Sequence, residues 1–357
     1  MNKKTSLYNN HLKLGAKIIP FSGFEMPVNY DKGILSEYQA VRNNCGMFDV
    51  SHMGQFFIHG ANSCDFLQEM TINNVSNLND YDAQYSAMCN REGGIIDDLI
   101  LYKQPNGYFM VVNAGNINKN FDWLNKNIIN DVTIENQSSE ISLIAIQGPN
   151  TRKFLSQITN SNLNIKFYSY TKGQVLGTDI MISRTGYTGE LGFELYGTHD
   201  QIVDVWDKLI QLGVEPCGLA SRDILRMEMK YCLYGNDIDE TTSPIEAGLS
   251  WITDMDKKSF IGKNQLIKNK SDLKLIAFKM CERGIPRKDY DIRIDNKKVG
   301  RVTSGTQSFT LNSGIGIGYI ESKYSSIGKE IQISIRNNNI KAEIIKPPFI
   351  KKTSLLK

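Results

Sequence analysis

The sequence lacks any long hydrophobic run, since no apolar stretch among its 357 residues approaches the roughly 18 residues that a membrane-spanning helix needs. Its N-terminal segment, residues 1–7, carries two lysines, but it contains neither the apolar core of a signal peptide nor the arginines of a transit peptide. Both absences predict a cytoplasmic protein without membrane contact.

Patterns for metal binding are also missing. No two of the six cysteines form C-x-x-C, and no two of the four histidines form H-x-x-x-H, so we expect no metal site and reduced thiols. The net charge is only +3, which argues against a nucleic-acid partner. The composition, 41% hydrophobic and 22% charged, is typical of a globular protein, and the length predicts two or three domains.

Apolar periodicity and turn residues predict mixed α and β structure before about residue 254 and β structure after it. A polar, lysine-rich segment at 254–272 is a plausible boundary, and the evenly spaced strands beyond it favour a small barrel or sandwich. Asn116 and Ser221 are predicted helix caps. The predicted helices are 34–43, 117–128, 152–158, 201–212 and 222–231. The predicted strands are 84–90, 95–104, 108–113, 141–146, 180–184, 192–196, 273–280, 290–295, 298–304, 314–321, 330–336 and 340–346.

The most informative local feature is a pair of aspartates, Asp97 and Asp98, inside the apolar segment 95–102. Because side chains alternate along a strand, the two carboxylates point to opposite faces, and each face is otherwise apolar. Burying a carboxylate without a partner costs on the order of several kcal/mol. At least one aspartate should therefore meet an arginine, a backbone amide cluster or a polar ligand. A structural ion pair, an acid at a strand end and a functional acid all fit this pattern.

A glycine-rich segment at 183–194 is the second feature. Its glycines at 186, 189 and 192 permit tight turns, Tyr187 offers a flat stacking face, and Glu194 offers an acceptor for ring N–H groups. An ordinary glycine-rich hairpin explains the same spacing.

Arg222 is predicted near a helix start, where a cation is disfavoured, which hints that it reaches an anion. His52 has the chemistry of a general acid or base, although a structural histidine in a turn is the simpler interpretation.

Taken in order, these segments resemble the aminomethyltransferases of the glycine cleavage system, the T-protein family. Each motif is weak alone, but the ordered set is specific and covers almost the whole chain. The motifs that carry the resemblance are G-F-E-M-P-V at 23–28, G-M-F-D-V-S-H-M-G at 46–54, G-G-I-I-D-D-L at 93–99, Q-G-P at 147–149, S-R-T-G-Y-T-G-E at 183–190, G-F-E at 192–194, L-Y-G-N-D-I-D at 233–239, R-V-T-S-G at 301–305 and K-P-P-F at 346–349.

The resemblance implies an α+β, three-domain, cloverleaf-like folate-binding aminomethyltransferase fold around a central funnel, with a C-terminal six-stranded β-barrel-like domain. Residues 1–265 would form the folate-binding region in two subdomains, about 1–52 plus 142–265, and 53–141. Residues 273–352 would form the C-terminal barrel.

The implied reaction moves the methylene of an aminomethyl group, carried on lipoylated H-protein, to tetrahydrofolate. Its products would be 5,10-methylenetetrahydrofolate, ammonia and dihydrolipoyl H-protein. Tetrahydrofolate would be the one-carbon acceptor and H-protein the partner, with no metal, nucleic acid or membrane involved.

The family motifs also imply site residues. Asp98, the second aspartate of its motif, matches the catalytic acid. Glu194 matches the acid that holds the pterin ring, and Arg222 matches the arginine of an A-R-D pattern that reads Ser-Arg-Asp here. Further folate-binding positions are matched by Tyr187, Tyr85, Met53, Ile100 and Asn113.

Leu191 departs from the family, which usually has aspartate there, and the sequence leaves its effect on the pocket wall open. Two other functions use the same scaffold. One is a tetrahydrofolate-dependent demethylase of a small methylated substrate, which would share Asp98 and Glu194. The other is a non-enzymatic folate-binding assembly factor, whose K-G-C-Y-x-G-Q-E signature has no cysteine counterpart at 184–190. The end-to-end match favours the aminomethyltransferase.

Overall fold

The computed structural model describes residues 2–268, 271–336 and 338–357, and within them α and β elements mix as predicted. The α-helices are Tyr8–Lys13, Gly33–Asn43, Ser63–Met70, Ile117–Lys126, Thr151–Leu155, His199–Gln211, Leu219–Glu228 and Lys263–Lys268. Short 3₁₀ turns are Val75–Asn77, Ala114–Asn116, Ser250–Ile252 and Ser322–Tyr324. No helix in these ranges is both long and apolar enough to cross a membrane.

The part before residue 254 is built on three sheets. In spatial order, a small N-terminal sheet contains Lys3–Lys4, Phe24–Asn29 and Lys17–Phe21. A six-stranded sheet contains Tyr170–Val175, Thr178–Ser183, Gly192–Thr198, Ile141–Gln147, Gly46–Asp49 and Glu215–Pro216. A five-stranded sheet contains Ala83–Cys89, Ile95–Gln104, Gly107–Val112, Gly54–His59 and Thr133–Asn136.

The C-terminal strands close into a six-stranded barrel, which confirms the barrel predicted from the family resemblance. Closure pairs the first strand with the last, so no edge stays open to other chains. The boundaries of the predicted domains stay a prediction. The barrel strands, in spatial order, are Leu273–Met280, Ser313–Glu321, Lys297–Ser308, Asp291–Ile294, Glu330–Ile335 and Asn338–Ile345.

Local sequence explains the clearest elements. The helix His199–Gln211 begins with a capping box, in which Thr198 accepts from the backbone of Gln201 and Gln201 reaches back. Its apolar face, which includes Trp206, is fully buried against the six-stranded sheet. The strand Ile141–Gln147 is almost entirely buried and lies inside that sheet between two neighbours, as its continuous apolar run predicts.

Of the two predicted helix caps, Ser221 is wrong and Asn116 is confirmed in position only. The helix Leu219–Glu228 begins after Gly218, so Ser221 lies inside its first turn and donates to the carbonyl of Gly218. Asn116 does precede the helix Ile117–Lys126, but its side chain makes no capping bond because it donates to the carboxylate of Asp97. In each case a tertiary or within-turn partner competes with the local cap.

The end of the helix Leu219–Glu228 joins the barrel to the rest of the molecule. Arg226 is buried and pairs with Asp237 at 2.6 Å, and it also donates to the barrel hydroxyl of Ser304 at 3.0 Å. Asp237 accepts in turn from Thr303. This network leaves the buried cation and anion with hydrogen-bonded partners from three parts of the chain.

Glu228 makes a second buried junction two residues later. Its carboxylate pairs with Arg42 at 2.5 Å and accepts from Tyr38 at 2.8 Å, both on the helix Gly33–Asn43. It also accepts from the barrel hydroxyl of Ser308 at 2.6 Å. One side chain thus fixes two helices and the barrel against each other.

The residues after the barrel return to the glycine-rich segment. Ser354 is buried, and both its N–H and its hydroxyl donate to Glu190, at 2.8 and 2.5 Å. The N–H of Leu191 donates to the Ser354 hydroxyl at 2.9 Å, and Arg184 donates to the carbonyl of Leu355 at 3.1 Å. The basic C-terminal segment is therefore packed onto the fold at these residues.

The Arg226 network gives a stability prediction. Arg226→Met should reduce the free energy of unfolding by about 3–5 kcal/mol, because it leaves the Asp237 carboxylate buried without its cation. Urea titration followed by circular dichroism would measure the change. The control is Arg301→Met, which removes a pair with Asp289 whose side chains are 56% and 64% exposed and should cost at most about 1 kcal/mol. Equal losses in the two variants would contradict this account.

Candidate active site

The predicted site residues lie deep in the molecule, yet each keeps some accessible surface, as expected for the wall of a recess. They come from both large sheets and from the helix Leu219–Glu228. The two sheets are tied together by an isolated bridge between Asp82 and Ser169. The residues that share this partial burial are Met53, Tyr85, Asp98, Ile100, Asn113, Tyr187, Glu194 and Arg222.

Asp98 lies on the strand Ile95–Gln104 and is held by two neighbours. The hydroxyl of Tyr85, on the adjacent strand, donates to Asp98 Oδ2 at 2.9 Å. The side-chain amide of Asn113 donates to Asp98 Oδ1 at 2.9 Å. Burial raises the pKa of the Asp98 carboxyl above its usual range, and these two donors oppose that shift by favouring the anion. Among the described residues, Asp98 is thus a partly buried acid that forms no ion pair.

Asp97 points to the opposite face of the same strand and is fully buried. It accepts from the backbone N–H of Asn113 at 3.1 Å and from the side-chain amides of Asn113, Asn116 and Asn120 at 2.8, 2.7 and 2.5 Å. A backbone amide cluster was among the partners that the sequence predicted for one aspartate, but three of these four donors are side-chain amides and only one is a backbone N–H. Burial and the neighbouring Asp98 raise the pKa of Asp97 to about 7, and the three side-chain amides oppose the rise.

Glu194 lies on the strand Gly192–Thr198 of the other sheet. Thr185 donates to its carboxylate at 2.5 Å and Tyr196 at 3.5 Å. Burial raises the pKa of Glu194, while the Thr185 hydrogen bond and the charge of Arg222 lower it. The recess therefore has a second carboxylate, supported by hydroxyl groups.

Arg222 lies near Glu194 and faces aromatic rings. Its guanidinium carbon is 4.8 Å from the ring centre of Tyr187 and 5.8 Å from that of Phe48, within the range of cation–π attraction. Its Nη1 is buried and has no hydrogen-bond partner among the described residues. A buried donor left without a partner is costly, so this atom calls for a ligand or a water molecule.

Tyr187 lies between the two charged groups. Burial raises the pKa of its hydroxyl; the positive charges of Arg226 and Arg222 lower it, and the negative charge of Asp98 raises it. The hydroxyl donates to the backbone carbonyl of Cys232, and the ring stacks on Tyr231 at 5.6 Å between centres. The hydrogen bond to Cys232, the stack on Tyr231 and the Arg222 guanidinium together fix the orientation of the Tyr187 ring.

The two remaining predicted residues, Met53 and Ile100, make no polar contact. Both pack against the same hydrophobic cluster, which contains Phe48, Val50 and Tyr102. They contribute an apolar part of the wall.

His52 and Leu191 do not behave as site residues. His52 is buried with its ring against the edges of Phe21 and Phe24, and burial lowers its pKa to about 4, so it is neutral at physiological pH. Leu191 is buried in the core cluster that also contains Phe193.

Asn113 and Asn116 were predicted from the sequence in other roles, but Asn120 and the contact that all three share with Asp97 were missed. The amides of Asn113, Asn116 and Asn120 recur at intervals of three and four residues, a helical spacing that would have placed them on one face. The hydroxyls of Tyr102 and Tyr196, 3.0 Å apart, belong to different sheets, so nothing in the sequence joins them.

The site therefore presents two separated carboxylates, one arginine and an aromatic face. This set suits a flat heterocycle with N–H donors better than a metal. The described residues contain no group of three or more His, Cys, Asp or Glu side chains arranged to hold a metal ion. Two surface cavities, of about 440 and 400 Å³, are lined by none of the eight predicted residues.

Known proteins match this chain over almost its whole length. The model of the GCVT N-terminal domain matches residues 7–257, and that of the glycine cleavage T-protein C-terminal barrel domain matches residues 274–351. An aminomethyltransferase of Halothermothrix orenii is 47% identical, covering 98% of this chain and 100% of the relative. An aminomethyltransferase of Flavobacterium psychrophilum is 46% identical over the same shares.

The solved structures agree as well. The crystal structure of glycine cleavage system aminomethyltransferase T from Bartonella henselae superposes with a TM-score of 0.93, at 30% identity and with 99% of each chain covered. The chain therefore belongs to the glycine cleavage T-protein family of aminomethyltransferases.

Proposed function

We propose that this aminomethyltransferase moves the methylene of an aminomethyl group, carried on the lipoyl arm of H-protein, to tetrahydrofolate. The products are 5,10-methylenetetrahydrofolate, ammonia and dihydrolipoyl H-protein. The observation that carries the proposal is that Tyr187 lies within range of the charges of both Asp98 and Arg222, while Arg222 acts in turn on the charge of Glu194. The cytoplasmic location stays a prediction.

The recess fits a pterin in its chemistry. Glu194 is a buried acceptor that suits the ring N–H groups, and Tyr187 offers a face on which a flat ring stacks. The free Nη1 of Arg222 supplies a donor for a carbonyl or carboxylate oxygen of the ligand. These groups would bind and orient tetrahydrofolate, which supplies the nitrogen nucleophile when bound.

Asp98 would be the residue of this chain that takes part directly in the reaction. A carboxylate with a raised pKa exchanges protons closer to neutrality than an ordinary aspartate. The anion would also stabilise positive charge that develops at the transferred carbon. Tyr85 and Asn113 hold the carboxylate in place, so it needs no reorientation during the reaction.

The direct test measures ammonia release from aminomethyl-loaded, lipoylated H-protein with and without tetrahydrofolate. Folate-dependent release together with 5,10-methylenetetrahydrofolate supports the proposed reaction. If folate binds but does not stimulate release, the demethylase alternative takes its place. Folate binding without turnover of either kind of donor would favour the assembly factor.

Asp98→Asn should retain folate binding but lose about a hundredfold or more in kcat, because an amide neither takes up a proton nor stabilises a cation as the carboxylate does. Steady-state kinetics with loaded H-protein would measure the loss. The matched control is Asp122→Asn, an exposed aspartate on the helix Ile117–Lys126, which should keep the kcat of the unmodified enzyme. Normal turnover by Asp98→Asn would remove Asp98 from the mechanism.

Glu194→Gln should act mainly on binding. Losing a charge-assisted hydrogen bond worth about 1.5–3 kcal/mol raises the KM for tetrahydrofolate by about tenfold or more. Glu135→Gln, whose side chain is 49% exposed, serves as the control. A KM that stays unchanged in Glu194→Gln, measured at saturating H-protein, would show that Glu194 does not hold the ring.

A further inference from the structure

We propose that Asp97 is a positioning residue for the reaction, and that it acts through the side-chain amide of Asn113 on the neighbouring Asp98. This inference rests on the proposed function, because it concerns the same site. The family resemblance gave Asp97 no role, and its burial on the far face of the strand keeps it away from the recess.

The amide nitrogen of Asn113 bridges the two aspartates. Its Nδ2 lies 2.8 Å from Asp97 Oδ1 and 2.9 Å from Asp98 Oδ1, and 3.2 Å from the backbone carbonyl of Asp98. An amide nitrogen has two hydrogens, so it can donate to both carboxylates at once. One side chain therefore links two acids that point to opposite faces of their strand.

The two carboxylates also decide which way the amide faces. If the Asn113 side chain turned over, its carbonyl oxygen would meet two carboxyl groups in place of the nitrogen, and the repulsion between acceptors disfavours that arrangement whenever the facing oxygens carry no proton. The carbonyl oxygen is consequently turned away from both aspartates. Asn113 is only partly buried, so in this orientation its carbonyl oxygen is the group that can accept from the N–H of a ligand.

Asp97 is well suited to fix this arrangement because it is itself immobilised. Asn116 and Asn120 donate to it from one side, and the backbone N–H of Asn113 donates from its own segment. Asp97 is completely buried, so no water competes for these bonds. The chain of contacts runs from the helix Ile117–Lys126 through Asp97 and Asn113 to Asp98.

Kinetic parameters of Asp97→Asn test the proposal. The replacement has the same shape, but it no longer forces the Asn113 amide nitrogen toward the strand. We expect kcat per folded molecule to fall by about tenfold to a hundredfold, as for other small displacements of reacting groups, and KM for tetrahydrofolate to rise. A purely structural role for Asp97 would lower only the folded fraction and leave both parameters unchanged.

The decisive comparison is a double-mutant cycle with Asn113→Ala. If Asp97 acts through Asn113, Asp97→Asn has little further effect once Asn113 is already alanine. If the fold-losses in kcat of the two single variants multiply in the double variant, Asp97 acts by another route and the proposal is overturned. Glu37→Gln is the control, since it alters another fully buried carboxylate held by the backbone N–H groups of Tyr30 and Gly218. It should keep both parameters per folded molecule.

The unmodified enzyme and Asp98→Asn are measured in the same assay. If the unmodified enzyme is inactive, the proposed function is wrong. If Asp97→Asn is fully active while Asp98→Asn is inactive, only the present inference is wrong. If Asp97→Asn does not fold, nuclear magnetic resonance of the unmodified enzyme decides. Both side-chain amide hydrogens of Asn113 should be protected from exchange, and rapid exchange of either would overturn the bridge.

Discussion

The buried ion pairs at the end of the helix Leu219–Glu228 are the constraint on which the rest of the structure depends. Arg226 and Glu228 connect this helix to Asp237, to Arg42 and to the barrel. Such pairs offset their desolvation only when every polar atom finds a partner, so they tolerate one relative placement of the parts they join. Arg222 lies one turn earlier on the same helix, and the position of the site arginine is thereby fixed by contacts that lie outside the recess.

The candidate site is arranged differently, because its charged side chains are partly buried and lack some of the hydrogen-bond or ionic partners that would offset their burial. Asp98 and Glu194 receive hydrogen bonds from neutral groups, and Arg222 has an unpartnered nitrogen. These groups are costly in the free protein, and their cost falls when a ligand supplies the missing partners. The molecule thus has two kinds of buried charged side chain. Those with a full set of hydrogen-bond partners hold its parts together, and those with an incomplete set are available to a ligand.

The sequence predicted the elements whose signals are local. The strands Ile95–Gln104 and Leu273–Met280 were predicted to the residue, because apolar runs are bounded there by turns or polar segments. The strand Lys17–Phe21 was missed, although its partner Phe24–Asn29 follows directly in a hairpin. The strand Thr133–Asn136 was also missed, since it is short, partly polar and at a sheet edge, and its partner, Gly54–His59, is distant in sequence. The same limit applies to the site: motif order pointed to Asp98, whereas the Asn113 bridge and the hydroxyls beside Glu194 depend on tertiary placement.

The contact between Ser354 and Glu190 has a consequence for the order in which the protein acquires its shape. The glycine-rich segment that carries Tyr187 is completed by a residue 164 positions later in the chain. Contacts of such long sequence separation form late, because the intervening chain must first be ordered. On the ribosome, the six-stranded sheet is synthesised well before Ser354 emerges. The glycine-rich segment therefore gains its contact with Ser354 only after the barrel has been synthesised. The site is therefore among the last parts of a newly made molecule to mature.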